Sequence, residues 1–429
     1  MLVRLDVRDA RADLADRLGD RARAADDLAV TAAVTSILDA VRTRGDAALR
    51  ELTAEFDHAD IDALRVTATE LEDAVAATPA DVRDALEVAG TRIRAYHKAQ
   101  ATTPPATFEA DGVTVTEAIR PVDRAGLYVP GGRAAYPSTV LMTAIPAAVA
   151  GVPERVLCVP PAADGTIAAV TLAAAFLTGV EEVYRVGGAQ AVAAMAYGTE
   201  SIAAVDVIVG PGNAYVDAAK RIVASDGRVG IDGPAGPSEL VVIADGSTDP
   251  RLVALDLAAQ AEHGPGGTAF LVAWDENVLD AVIDALVAYV ADAPRASEIQ
   301  ATVASGGRAV LVRDAQQAIA VANLVAPEHL ELLVRDADEL VHEVRHAGAV
   351  FVDAPTALGD YVSGANHVLP TGGAARFSGA LRVDDFRRHM HVIRATPEGL
   401  RTVGPAAATL ARAEGLVAHA VSVERRIGR

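Results

Sequence analysis

Lysine is almost missing from this chain: only Lys98 and Lys220 stand beside 36 arginines. Carboxylates outnumber basic side chains by 58 to 38, for a net charge of −20. A surface of that sign repels phosphate, which excludes nucleic acid as a main partner. An acidic, lysine-poor surface suits a cytosol of very high salt, where screening suppresses self-repulsion; it speaks of the solvent, not the activity. Cysteine is reduced to Cys158, so no disulfide can close within the chain, which fits a reducing compartment. The apolar neighbours Val156, Leu157 and Val159 mark Cys158 as a buried strand residue rather than a nucleophile. No apolar run reaches the roughly 18 residues of a membrane span, and the charged start reads as lacking a signal peptide. The expectation is a soluble, cytoplasmic protein. Apolar mass, by contrast, is plentiful at 51% of the residues, enough for sizeable cores, and the length of 429 residues suggests about three domains, or two large ones with appendages.

Residues 1–25, rich in Arg, Asp and Ala, read as an arm lying on another surface, and 29–55 and 67–103 carry helical spacing. Asp111-Gly112 between two short alternating runs signals a hairpin. From residue 126 strands and helices alternate: strands at 126–130, 155–159, 181–186 and 205–209, helices at 138–150, 166–178, 190–197 and 213–224. A second series begins at Ser238, with strands at 239–244, 269–274, 308–312 and 348–352 and helices at 250–263, 277–291 and 315–324. Such alternation predicts two α/β units with parallel sheets covered on both faces, joined near 233–237. The tail ends on a helix predicted over 405–418.

Several stretches concentrate chemistry. Glycine-rich turns follow strands at Pro130-Gly131-Gly132, Gly187-Gly188-Ala189-Gln190 and Gly210-Pro211-Gly212-Asn213, where a ligand phosphate could approach a helix N-terminus. None completes the G-x-G-x-x-G pattern, and there is no Walker A lysine motif. Gln260 and His263 are three apart at a helix end stopped by Gly264 and Pro265, a carboxamide and an imidazole on one face that can hold a metal. Pro327-Glu328-His329 sets two proton carriers side by side, and Gly359-Asp360-Tyr361 opens a polar loop running to His367. Glu414 and His419 lie in the tail. His342-Glu343-Val344-Arg345-His346 matches the H-E-x-x-H signature of zinc hydrolases, which needs both histidines on one helical face and a third ligand. His389 and His391 alternate along a predicted strand and read as exposed side chains.

Taken in order, these motifs resemble the histidinol dehydrogenase family. The resemblance rests on Gly126-Leu127-Tyr128-Val129-Pro130-Gly131-Gly132, Pro137-Ser138-Thr139-Val140-Leu141-Met142, Gly187-Gly188-Ala189-Gln190-Ala191 and Gly210-Pro211-Gly212-Asn213-Ala214-Tyr215-Val216. It continues through Pro234-Ala235-Gly236-Pro237-Ser238-Glu239, Gln260-Ala261-Glu262-His263-Gly264-Pro265, Ala326-Pro327-Glu328-His329-Leu330-Glu331 and Gly359-Asp360-Tyr361, then Gly364 and Asn366-His367-Val368-Leu369-Pro370-Thr371.

The resemblance implies an α/β fold of two Rossmann-like, aldehyde-dehydrogenase-like domains with small terminal arms, in an intertwined homodimer. The expected division is 1–25 as N-terminal arm, 26–125 with 238–380 as the domain of metal and catalysis, 126–237 as the NAD-binding domain, and 381–429 as a C-terminal arm reaching the partner's site. It implies one zinc ion per subunit held by Gln260, His263, Asp360 and His419, the last from the partner. His329 is implied as general base and Glu328 as the residue that activates water. Tyr128, Gln190 and Asn213 match NAD contacts; Ser238, His367 and Glu414 match substrate contacts beside the zinc ligands and His329. The implied reaction is two successive NAD+-dependent oxidations, L-histidinol to its aldehyde and then to L-histidine. Relatives on this scaffold oxidise other alcohols, including sulfonated diols; Glu414 and His367 favour the cationic imidazole amine. On the solvent reading, the unfolding temperature is expected to climb steeply with KCl in a thermal-melt series, and a salt-indifferent melt would remove that reading.

Overall fold

The computed structural model describes residues 2–10, 13–18, 28–102, 104–131, 134–233, 236, 238–264 and 266–428. Much of the expected N-terminal arm, and Gly132, Pro234, Ala235, Pro237 and Pro265 of the quoted motifs, lie outside the described residues. Strand β1 (Val3–Asp6) and helix α1 (Leu14–Leu18) come first, then α2 (Leu28–Arg44), α3 (Asp46–Phe56), α4 (Ala68–Ala77) and α5 (Ala80–Gln100). The hairpin β2 (Thr107–Ala110) and β3 (Val113–Pro121) leads into β4 (Arg124–Tyr128), α6 (Pro137–Ala150), β5 (Glu154–Val159), α7 (Ala169–Leu177), β6 (Glu182–Arg185), α8 (Gly188–Tyr197), β7 (Val207–Val209), α9 (Ala214–Ser225) and β8 (Gly230–Ile231). The second series is β9 (Glu239–Ala244), α10 (Pro250–Ala261), β10 (Thr268–Ala273), α11 (Glu276–Asp292), α12 (Ala296–Gly306), β11 (Gly307–Leu311), α13 (Ala315–Val325), β12 (His329–Leu333), α14 (Ala337–Leu340), β13 (Ala349–Val352) and α15 (Thr356–Tyr361). The tail holds β14 (Arg387–Ala395), α16 (Pro397–Ala413) and α17 (Val417–Arg426). Among the described residues no helix is long and apolar enough to cross a membrane.

Two parallel sheets dominate. The first runs β6-β5-β4-β7-β8, reversing direction of growth between β4 and β7. The second runs β1-β11-β10-β9-β12-β13, with the same reversal between β9 and β12. Strand alternation splits each sheet between two cores: Leu240, Val242 and Ala244 face α10, α11 and α12, whereas Val241 and Ile243 face α13. A third, antiparallel sheet β14-β3-β2 joins the predicted hairpin to the tail, Met390 opposite Ala118.

Several boundaries differ from the sequence expectation. Residues 26–125 pack mainly on the five-stranded sheet, and Val362 and Val368 of 238–380 meet them there. Helices α4 and α5 share a core with α6 and α7, and α2 and α3 share one with α8 and α9, so this segment clothes both faces of the five-stranded sheet. Val368, Leu381, Val383 and Phe386 also join the α5–α6 core. The start of the chain is an edge strand, β1 pairing parallel with β11, because Leu2 and Val7 are buried beside it. The strand β12 and helix α12 went unforeseen. The tail carries two helices rather than one over 405–418, since Gly415 at φ +77 breaks the run after Ala413. Cys158 is buried in β5 as expected, and burial pushes its thiol up to about 12, which leaves it inert.

Candidate active site

The amino ends of β9 and β12 meet at the reversal point of the six-stranded sheet. Ala326, in the left-handed region at φ +49, ends α13 and turns the chain into β12. His329 then pairs with Leu240, which places Glu328 beside Glu239, and the Glu239 N–H donates to Glu328 Oε2 at 3.0 Å. The Ser238 hydroxyl also bonds Glu328. Helix α10 leaves β9 and returns alongside the sheet, so its C-terminal end lies over these strand beginnings. It carries Gln260, buried, whose Nε2 has no hydrogen-bond partner among the described residues. His263 follows; its Nδ1 donates to Ala259 O at 3.1 Å, which puts the imidazole lone pair on Nε2.

Asp360 arrives from α15, a short helix where a plain loop was expected. A Cβ on Gly359 would lie 2.5 Å from the Phe351 ring, so glycine lets this helix sit against β13. His329 Nε2 stands 3.7 Å from Asp360 Oδ1, and its Nδ1 3.6 Å from Glu328 Oε2. His367 Nδ1 donates to Asp360 O at 2.8 Å, and the Thr139 hydroxyl donates to its Nε2 at 3.2 Å, which links the cluster to the first turn of α6. Asn366 is buried and fixed between Met142 O and His97, so the polar run before His367 is structural as well as functional.

Burial drives the electrostatics. It raises the Glu328 carboxyl well above the usual range, with the charges of Glu239 and Asp360 adding to the effect. Burial also lowers His329, only partly opposed by Asp360, so the imidazole is neutral near pH 7. His367 is lowered for the same first reason. A neutral imidazole beside an acid-poised carboxyl is a pair able to take and return protons.

Among the described residues no three His, Cys, Asp or Glu side chains converge closely enough to hold a metal. Gln260, His263 and Asp360 offer amide oxygen, imidazole and carboxylate, a donor set acceptable to zinc by its chemistry. His419 and Glu414 are exposed on the tail and are not drawn into this cluster within one chain. The residues therefore fit zinc once a further donor joins them. The H-E-x-x-H reading is corrected: Val341–Glu343 is a single 3-10 turn, Val344 is extended, and Asn323 Oδ1 accepts from the Arg345 and His346 amides. His342 and His346 thus share no helical face. His389 is exposed on β14 and pairs with Glu117.

The glycine turns gather at the carboxyl ends of the five-stranded sheet. The Gly188 amide donates to the Tyr128 hydroxyl at 3.1 Å, and Gly131 and Gly187 both pack on Pro160. Tyr128 and Gln190 are buried there; Asn213 is exposed and caps α9, its Oδ1 accepting from Tyr215 and Val216. Three residues given no role by the sequence also bear on these sites: Asp256 and Glu331 behind the histidine cluster, and Asp232 behind the turns. Of these, only Glu331 sat inside a quoted motif.

A doubly wound sheet with glycine turns at its carboxyl ends thus stands beside a buried histidine–carboxylate pair, the layout of a nucleotide-using α/β enzyme. The family model for histidinol dehydrogenase matches residues 20–427. A histidinol dehydrogenase of Methylococcus capsulatus is 51% identical over 399 residues, 92% of this chain and 91% of that protein. One of Rhizobium meliloti is 50% identical over 402 residues, 93% and 92%. The crystal structure of histidinol dehydrogenase from Elizabethkingia anophelis superposes with a TM-score of 0.94 at 34% identity, covering 100% of this chain and 98% of that one. A putative aldehyde dehydrogenase from Burkholderia cenocepacia shares the fold alone, at a TM-score of 0.50 and 18% identity over 85% of this chain and 87% of that one. The chain belongs to the histidinol dehydrogenase family, and it is an NAD-dependent oxidoreductase of histidine biosynthesis.

Glu331 lies on the same face of β12 as His329, and its Oε1 accepts from the Thr356 amide at 2.9 Å, capping the helix that presents Asp360. Burial, then the charge of Asp256, pushes it up to about 8. Because the unfolded chain ionises this group near its ordinary value of 4.5, folding stability is full below that pH and is lost as pH rises toward about 8. Glu331→Gln keeps the acceptor and removes the charge. Its melting temperature is expected to exceed that of the parent at pH 8.5 and to match it near pH 4.5; equal melting at both would refute the assignment.

Proposed function

We propose that this chain oxidises L-histidinol through L-histidinal to L-histidine as a cytoplasmic, zinc-dependent, intertwined homodimer. The observation that carries the reading is His329 standing 3.7 Å from Asp360 and 3.6 Å from Glu328 at the amino ends of β9 and β12, with His263 near enough to act on its charge and the fourth expected ligand left outside on the tail. That tail also exposes Ile393 (68%), Leu410 (65%) and Val417 (56%), apolar surface that a second subunit would cover. Gln260, His263 and Asp360 would hold the zinc together with His419 of the partner subunit. When bound, zinc would grip the imidazole and amino nitrogens of the substrate, and NAD+ would accept the hydride.

The chain's own residues do the rest. The neutral His329 imidazole takes the hydroxyl proton in the first oxidation. Glu328 takes a proton from the water that adds to the aldehyde; a cationic substrate beside it favours the carboxylate form this needs. Ser238 and His367 orient the substrate, joined by Glu414 from the tail. Tyr128, Gln190 and Asn213 meet NAD+ along the glycine turns.

Zinc-loaded enzyme in high-salt buffer is expected to form two NADH per histidinol consumed and to leave a sulfonated diol untouched; no turnover of histidinol would overturn the proposal. Glu328→Gln should spare the first hydride transfer in single-turnover kinetics and slow the second half by roughly a hundredfold or more. If both halves fall equally, the role is misassigned. His419→Ala is expected to lose zinc from the dimer by metal analysis, and a zinc-replete variant would exclude it as a ligand.

A further inference from the structure

We propose that Lys220 and Asp232 are positioning residues for NAD+, clamping the Gly210 peptide so that the turn over 210–213 is formed before the dinucleotide arrives. The proposal rests on the reading that this turn meets NAD+. Lys220 Nζ donates to Gly210 O at 3.1 Å, and Asp232 Oδ2 accepts from the Gly210 N–H at 2.8 Å. The second Asp232 oxygen pairs with the Lys220 ammonium. The Lys220 side chain is fully buried and that of Asp232 is 6% exposed. One ion pair thus holds both polar groups of a single glycine.

The turn needs such a hold. Strand β7 stops at Val209, so Gly210 lies beyond its ladder. Gly210 has φ +121, and a Cβ there would sit 2.1 Å from Tyr128 O, so the chain crosses directly over the end of β4 at the point where the sheet reverses. Its peptide groups are shut away from water and must be paired from the protein. Lys220 comes from α9 and Asp232 from just beyond β8, so the clamp draws both against the end of β7. A buried ion pair is weak evidence of stabilisation compared with an apolar filling; the geometry it imposes is the better reason for its presence.

The test uses the zinc-loaded full-length enzyme with Lys220→Met and, separately, Asp232→Asn. Both are expected to raise KM for NAD+ and Kd for NADH about tenfold, with kcat at saturating NAD+, KM for histidinol and zinc content held within about twofold. Unchanged nucleotide affinity, or an equal loss in every parameter, overturns the proposal. Asn213→Ala separates the two levels. If it weakens NADH binding while the clamp variants do not, the clamp alone is wrong; if none of the three moves NADH binding, the placement of the nucleotide on this turn fails with it. Should neither clamp variant fold, hydrogen exchange on the parent decides. A Gly210 amide protected without nucleotide supports the preformed turn, and one that exchanges freely until NADH is added overturns it.

Discussion

The candidate centre depends on one register, β12 lying parallel to β9 with His329 opposite Leu240. That pairing sets Glu328 at the strand's entrance, where the Glu239 amide can bond it, and turns His329 toward α10 instead of α13. A slip of one residue would send the imidazole into the opposite core and bring Leu330 to the site. The apolar alternation of Leu330 and Leu332 on the far side fixes the register, so the packing of one face decides the chemistry of the other.

The two sheets use opposite ends. The five-stranded sheet offers its carboxyl ends, where α8 and α9 begin, and helix beginnings favour anionic groups such as a pyrophosphate. The six-stranded sheet offers its amino ends, where α10 finishes, and helix endings favour cations. His367, bonded to both Asp360 and Thr139, joins the two ends. The two ends thus carry fields of opposite sign, one from helix beginnings and the other from a helix ending.

The βα series was legible because each strand and helix carries its own period and its own glycine or proline stop. Gln260, His263, Glu328, His329 and Asp360 were legible as motif residues, and the structure brings them to neighbouring element ends. What the sequence hid is non-local. Nothing local tells helix α5 that it packs on α6 rather than on the second unit. Glu328-His329 reads as a polar cluster because a strand that begins on an ionisable residue, with another just before it, breaks the usual alternation. His342 and His346 have helical spacing, and only Asn323, some twenty residues back, undoes it. Glu331 and Asp232 carry no local sign of being buried; their meaning lies in amides from distant parts of the fold.

The burial of Lys220 also changes what the surface is made of. With that ammonium sealed inside, Lys98 is the lone exposed lysine, and nearly all remaining positive charge is guanidinium. Guanidinium stays protonated at any pH the protein meets and forks onto neighbouring carboxylates, as Arg8 does on Asp6 and Arg251 on Asp249. Reagents and modifying enzymes that seek side-chain amines therefore find a single address here, and acylation could alter the surface charge at only one side chain.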